Sequence, residues 1–170
     1  MEGMALTRVA GLLPAAGSGS RLGRGPKAFL ELEGKTLLAH AAETLATVCA
    51  EVVVAVPAGR LDDAHALLPG AYIVAGGSSR QETVRLLLDA TPDATHVIVH
   101  DAARPFTPVR VVQAVLEAAH EHGAASAALP IADTLHDTRT NAPLERDALR
   151  AIQTPQAFRR ALLAEAHRVP

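Results

Sequence analysis

Five short apolar runs punctuate the chain, at residues 9–14, 52–56, 71–75, 96–99 and 124–129. Each is continuous rather than alternating, and rich in β-branched residues or alanine. Strands buried on both faces read this way. Between them lie stretches with helical spacing. Leu37, Leu38, Ala41, Ala42 and Leu45 form one stripe, with Thr36 as N-cap; Val84, Leu87 and Leu88 form a second; Val112, Val115, Leu116 and Ala119 form a third. Strand–helix alternation predicts βαβ units and an α/β, three-layer fold, a mostly parallel sheet with helices on both faces. In such sheets ligands bind beyond the carboxyl ends of the strands. The residues that follow each apolar run are therefore the candidates for chemistry.

Residues 131–152 break the rhythm. The stretch is polar and carries Asp133, Asp137, Glu145, Arg146 and Asp147, with Asn141 and Pro143 at its centre. It reads as a protruding β-arm turning near Asn141, or as a long surface loop. At 170 residues the chain fits a single domain, 1–170, with the arm as its one excursion.

Composition narrows the classes. Hydrophobic residues make up 49% and charged residues 20%, a globular profile. A net charge of −2, three Phe, one Tyr and no Trp argue against a nucleic-acid partner. No apolar run approaches the ~20 residues of a membrane span, and no membrane partner is expected. The single cysteine, Cys49, excludes a disulfide framework and a multi-cysteine metal site, and suits a reducing cytoplasm. Cys49 reads as a small buried hydrophobe. His120 and His122 lie two apart on a helix and diverge, so they form no metal site.

The segment after the first run is the strongest chemical signal. Gly17, Gly19, Gly23 and Gly25 place four glycines in nine positions, interleaved with Arg21, Arg24 and Lys27. Glycines let backbone N–H groups close on a ligand, and successive N–H groups form an anion-binding concavity. The added cations make phosphate the natural target. The dinucleotide fingerprint is not met, because Gly23 comes one residue late and no acid follows the second run. Gly34-Lys35-Thr36 imitates the end of a P-loop, but position 29 is Phe29 rather than glycine.

Three further strand ends qualify. Gly76-Gly77-Ser78-Ser79-Arg80 allows close approach to a flat ligand such as a base, with Thr83 facing it from the first helical turn and Ser78 or Ser79 as cap. His100-Asp101-Ala102-Ala103-Arg104-Pro105 puts Asp101 where a hard-cation ligand belongs, and Arg104 beside it to pair or to reach phosphate. Asp133-Thr134 offers either a second carboxylate or an Asx turn.

The strings PAAGSGSRLGRGPKAFLEL, GGSSRQETV, HDAARP, LPIADT and IQTPQAF, in order from about Leu12 to Arg160, resemble the 2-C-methyl-D-erythritol 4-phosphate cytidylyltransferase family of isoprenoid precursor biosynthesis. The resemblance implies a Rossmann-like nucleotidyltransferase that joins methylerythritol phosphate to the α-phosphate of CTP, releasing pyrophosphate. It implies Arg21 and Lys27 as catalytic groups on the triphosphate. Ala15, Ala16, Gly17, Gly19, Gly76, Gly77, Thr83, Asp101 and Ala102 would bind nucleotide. Arg104, Thr134, Arg146 and Thr154 would bind the acceptor, and Asp101 would ligate Mg2+. It further implies a homodimer built through the arm, with Arg146 serving the partner's site. Two departures stand out. Relatives often carry an acid where this chain has Ser78, and they extend beyond position 170 with a final strand and a substrate-gripping lysine. A cytidylyltransferase for ribitol 5-phosphate and a non-catalytic nucleotide-binding module are the competing readings.

Overall fold

The computed structural model describes residues 7–17 and 26–168. The first apolar run forms β1 (Val9–Pro14), followed by a short hairpin of β2 (Glu31–Leu32) and β3 (Lys35–Thr36). Helix α1 (Leu37–Ala46), strand β4 (Glu51–Val56), helix α2 (Leu61–Leu67), strand β5 (Tyr72–Ala75), helix α3 (Arg80–Asp89) and strand β6 (His96–Val99) come next. The chain ends with α4 (Val109–His122), β7 (Ala124–Pro130), the small strands β8 (His136–Asp137) and β9 (Ala142–Pro143), β10 (Arg150–Arg159) and α5 (Arg160–Ala166).

Six strands form one sheet in the order β5-β4-β1-β6-β10-β7. β5, β4, β1 and β6 run parallel, and β10 pairs antiparallel with both β6 and β7. Alternate residues of the central strands point to opposite faces, which sorts the core into two layers. Val52, Val54, Val56 and Ile98 pack with α1, α2 and α4, including Leu38, Ala64 and Val112. Val53, Ala55, Val97 and Val99 pack with Val84, Leu87 and Leu88 of α3 and with Leu163 of α5. The expected three-layer arrangement is present. β1 sits between β4 and β6, so the chain leaves β1 in one direction and later returns on its other side. That is the topological switch point at which open α/β sheets bind ligands.

Local chemistry explains the boundaries. Thr36 caps α1 by accepting from Ala39 N, and Ser79 caps α3 by accepting from Glu82 N. Gly123, with φ of 85°, ends α4 in the left-handed region. Glu33 and Gly34 both take positive φ to turn β2 into β3, so Gly34-Lys35-Thr36 is hairpin rather than phosphate loop. Asn141, with φ of 53°, turns β8 into β9 and completes the arm.

One expectation changes, and two elements appear that no pattern announced. The runs at 71–75 and 124–129 are not buried on both faces, because β5 and β7 are the edge strands and stay partly exposed. Helix α2 carries only one fully buried residue, Ala64, too little for an apolar stripe. β10, ten residues long, occupies an interior position that no apolar run announced. Its register shifts between Ile152 and Gln156, and this irregularity redirects the side chains within it.

Candidate active site

The exits of β1 and β5 meet first. Ala15 N donates to Ala55 O at 2.8 Å, and Gly76 N donates to Val56 O at 2.9 Å, so both exits are tied to β4. A methyl group at position 76 would collide with the Ala16 methyl, so only glycine fits against that side chain. Ala15 is buried and Gly17 is exposed at the rim. Gly19 and Arg21 lie outside the described residues.

Helix α3 then holds the 76–79 turn from below. Gly77 N donates to Thr83 Oγ1 at 3.1 Å, and the Thr83 hydroxyl donates to Ser79 O at 2.8 Å. Thr83 is buried, and its hydroxyl keeps one acceptor position free of these bonds. Ser78 donates to Glu82 Oε2 twice, from N and from Oγ, both at 2.7 Å. These bonds hold the Glu82 carboxyl below its ordinary range. A carboxylate therefore stands at Ser78 after all, reaching back from the helix.

The exit of β6 supplies the charged part. His100 is fully buried; its N donates to Leu12 O at 3.0 Å, and its Nε2 lies 3.3 Å from Arg104 O. Burial lowers its pKa against the opposing effect of this hydrogen bond, in which Nε2–H donates to the Arg104 carbonyl. Asp101 follows. Its Oδ1 lies 2.7 Å from Arg80 Nη1 and its Oδ2 3.6 Å from Arg104 Nε. Its backbone N donates to Thr154 Oγ1 at 3.2 Å. Thr154 is buried and lies within the register shift of β10, which is what brings it across to β6. Ala102 is buried next to Asp101.

Lys27 opens a single 3-10 turn, Lys27–Phe29, and is exposed. The turn is anchored by buried Ala28 and by Phe29, whose ring lies 4.3 Å below the Arg60 guanidinium. Thr134 and Asp133 are exposed at the base of the arm. Arg146 closes that base by donating from Nη1 to Ala132 O at 3.0 Å. The sequence candidates therefore fall into three groups: Ala15, Ala16, Gly17, Gly76, Gly77 and Thr83; Asp101, Ala102, Arg104 and Thr154; and Thr134 with Arg146.

Arg80 and Glu82 were not anticipated. The Ser-x-x-Glu spacing of 79–82 is a capping pattern and could have flagged Glu82. Nothing local could have paired Arg80 with Asp101. Among the described residues no group of three His, Cys, Asp or Glu side chains could hold a metal ion. Asp101 alone is a hard oxygen donor, 31% exposed at a strand end. It fits a magnesium ion that takes its remaining ligands from phosphate and water.

A family model described as 2-C-methyl-D-erythritol 4-phosphate cytidylyltransferase matches residues 9–169. The chain is 52% identical over 163 residues to the 2-C-methyl-D-erythritol 4-phosphate cytidylyltransferase of Deinococcus radiodurans, covering 94% of this chain and 68% of that protein. It is 48% identical over 161 residues to the enzyme of that name from Thermus thermophilus, covering 92% of this chain and 72% of that protein. The crystal structure of a Thermus thermophilus enzyme of the same name superposes with a TM-score of 0.79 at 42% identity, over 95% of this chain and 75% of that one.

Proposed function

The chain belongs to the 2-C-methyl-D-erythritol 4-phosphate cytidylyltransferase family, and on that premise we propose how its residues carry out the reaction. It is a nucleotidyltransferase that moves CMP from CTP to 2-C-methyl-D-erythritol 4-phosphate. An oxygen of the acceptor phosphate forms a bond to the α-phosphorus of CTP. The bond from that phosphorus to the bridging oxygen of the β-phosphate breaks, and pyrophosphate leaves with the electron pair. The acceptor phosphate is already nucleophilic near neutral pH, so positioning and charge neutralisation dominate over proton abstraction.

One observation supports this reading above the others. The exits of β1, β5 and β6 converge at the switch point of the sheet, with a glycine-only contact on one side and an Asp–Arg cluster on the other. The glycine contact leaves backbone C=O groups and the remaining acceptor position of Thr83 for a flat base. Ala15, Ala16, Gly17, Gly19, Gly76 and Gly77 would line the nucleotide. Lys27 and Arg21 would offset charge on the triphosphate as it builds towards the transition state. Asp101 would hold a magnesium ion that neutralises phosphate charge when bound. Arg104, Thr134, Arg146 and Thr154 would hold the acceptor.

The arm would join two copies into a homodimer and carry Arg146 to the partner's site. Leu129, Leu144 and Ile152, all large, apolar and exposed in and beside the arm, support this, as does the unpaired edge of β7. A cytoplasmic location agrees with the lone buried thiol and with the absence, among the described residues, of a helix able to cross a membrane. Pyrophosphate release from CTP is the direct test, with methylerythritol phosphate and ribitol 5-phosphate offered separately. Release with the first acceptor alone is expected. Release only with the second, or CTP binding with no release, would overturn the assignment.

A further inference from the structure

Asp101 is crowded by positive charge from two different elements. Arg80, the first residue of α3, approaches Oδ1 to 2.7 Å; Arg104, from the loop after β6, approaches Oδ2 to 3.6 Å. The two arginines come from different elements and differ in exposure, 55% for Arg80 and 43% for Arg104. Arg104 is fixed through its backbone, its N donating to Asp101 O at 3.0 Å and its O lying 3.3 Å from His100 Nε2. Arg80 has a side chain 55% exposed, and among the described residues Asp101 is its one ion-pair partner. It also stands beside the Gly76–Ser79 turn, where the nucleotide is proposed to lie.

We propose that Arg80 is a resident counter-cation that keeps a divalent ion off Asp101 until the triphosphate brings it. The inference rests on the reading of Asp101 as a cation ligand. A divalent ion approaching the free carboxylate meets two guanidinium groups within ion-pair distance of the oxygens it needs, and like charges at that range repel. A triphosphate reverses the balance. Its negative charge compensates the incoming ion and offers Arg80 an alternative partner suited to a forked donor. Arg80, the more exposed of the two and placed beside the nucleotide turn on another element, is the group that yields; Arg104 stays with its loop. Metal and CTP then enter as a unit, and Arg80 changes partner from carboxylate to phosphate. Arg80 thus becomes a binding residue of the reaction.

The test uses the full chain and Mn2+ as probe, with free ion read by electron paramagnetic resonance in the absence of nucleotide. The wild type is expected to bind Mn2+ weakly. Arg80→Gln is expected to bind it about tenfold more tightly, because the competing charge is gone. Arg80→Lys keeps the charge and stays within about twofold of wild type. The gain disappears in the double variant Arg80→Gln, Asp101→Asn. Arg80→Met repeats the measurement without introducing a polar group, and circular dichroism checks the fold of each variant. Coincident isotherms for wild type, Arg80→Gln and Arg80→Met would overturn the inference. The underlying reading is checked separately by water proton relaxation with Mn2+ and CTP together. If Asp101→Asn retains the ternary complex, Asp101 is not the cation ligand and the inference falls with it. If Asp101→Asn loses the complex while Arg80→Gln behaves as wild type, only the counter-cation role fails.

Discussion

Lys27 is exposed, yet its backbone is held by buried Ala28 and by Phe29 under Arg60. A charge that must meet a triphosphate needs that combination of a mobile head and a fixed root. Lys27→Ala is expected to lower kcat by about 10²–10³ while leaving the unfolding midpoint unchanged, since electrostatic catalysts of this kind contribute on that order. Steady-state pyrophosphate release alongside urea unfolding checks it; near-normal turnover would remove Lys27 from the mechanism. Cys49 shows the opposite design. Burial pushes its thiol up to about 12, so it stays protonated at neutral pH and out of reach of reagents. A chromogenic disulfide reagent should titrate no thiol in the native protein and one after unfolding in urea. Residue identity alone was enough to read Cys49 as buried. For Lys27 the sequence suggested the charge and its target, but its anchoring by Arg60 depended on a contact between distant segments.

At the scale of elements, strands present their ends and helices brace them. The 76–79 turn is held by Thr83 and Glu82 from the first turn of α3, and it abuts Ala16 with no room for a side chain. Gly76→Ala is expected to push the exits of β1 and β5 apart. Overpacking of this kind costs about 1–3 kcal/mol, visible in urea denaturation, and KM for CTP should rise with it. Normal stability and normal KM would show that the two exits need not touch. The interior strands β1, β4 and β6 were legible as continuous apolar runs because both of their faces are covered. β10 escaped because its buried residues are few, its pattern shifts at the irregularity around Thr154, and Pro155 interrupts it. β5 and β7 were read as strands but assigned too much burial, because being at an edge depends on sheet order and not on composition.

The molecule as a whole has a working end and a foot. At the foot, His96 is nearly buried, its ring 4.0 Å from that of His120 on α4, with Arg159 opposite it across β10. Burial first, then His120 and Arg159, lower its pKa. Burial also lowers that of His100 at the working end. The unfolded chain titrates these rings near the ordinary value of about 6.5. Above that value they are neutral in both states, and stability is complete. As pH falls below it the unfolded state takes up protons that the folded state resists, so stability declines. Urea midpoints measured from pH 8 to pH 5 should fall towards acid, and His96→Gln should fall less steeply. Equal slopes for the two proteins would sink this account.

The sequence by itself determined what can be decided within a turn or a strand. It contained the order of five strands and of helices α1, α3 and α4, the Thr36 cap, a serine cap at 78 or 79, the turn near Asn141, and the placing of glycine and charge directly after apolar runs. Capping, left-handed turns and burial periodicity act over a few residues, so their signals are local. Only the tertiary structure decided which of those ends meet. Thr154 reaches Asp101 from 53 residues away, and Arg80 reaches it from another strand's connection. Those pairings follow from the order β5-β4-β1-β6-β10-β7, in which β1 stands between strands far apart in the chain. Sheet order is set by the packing of whole layers, and no short window of sequence carries it.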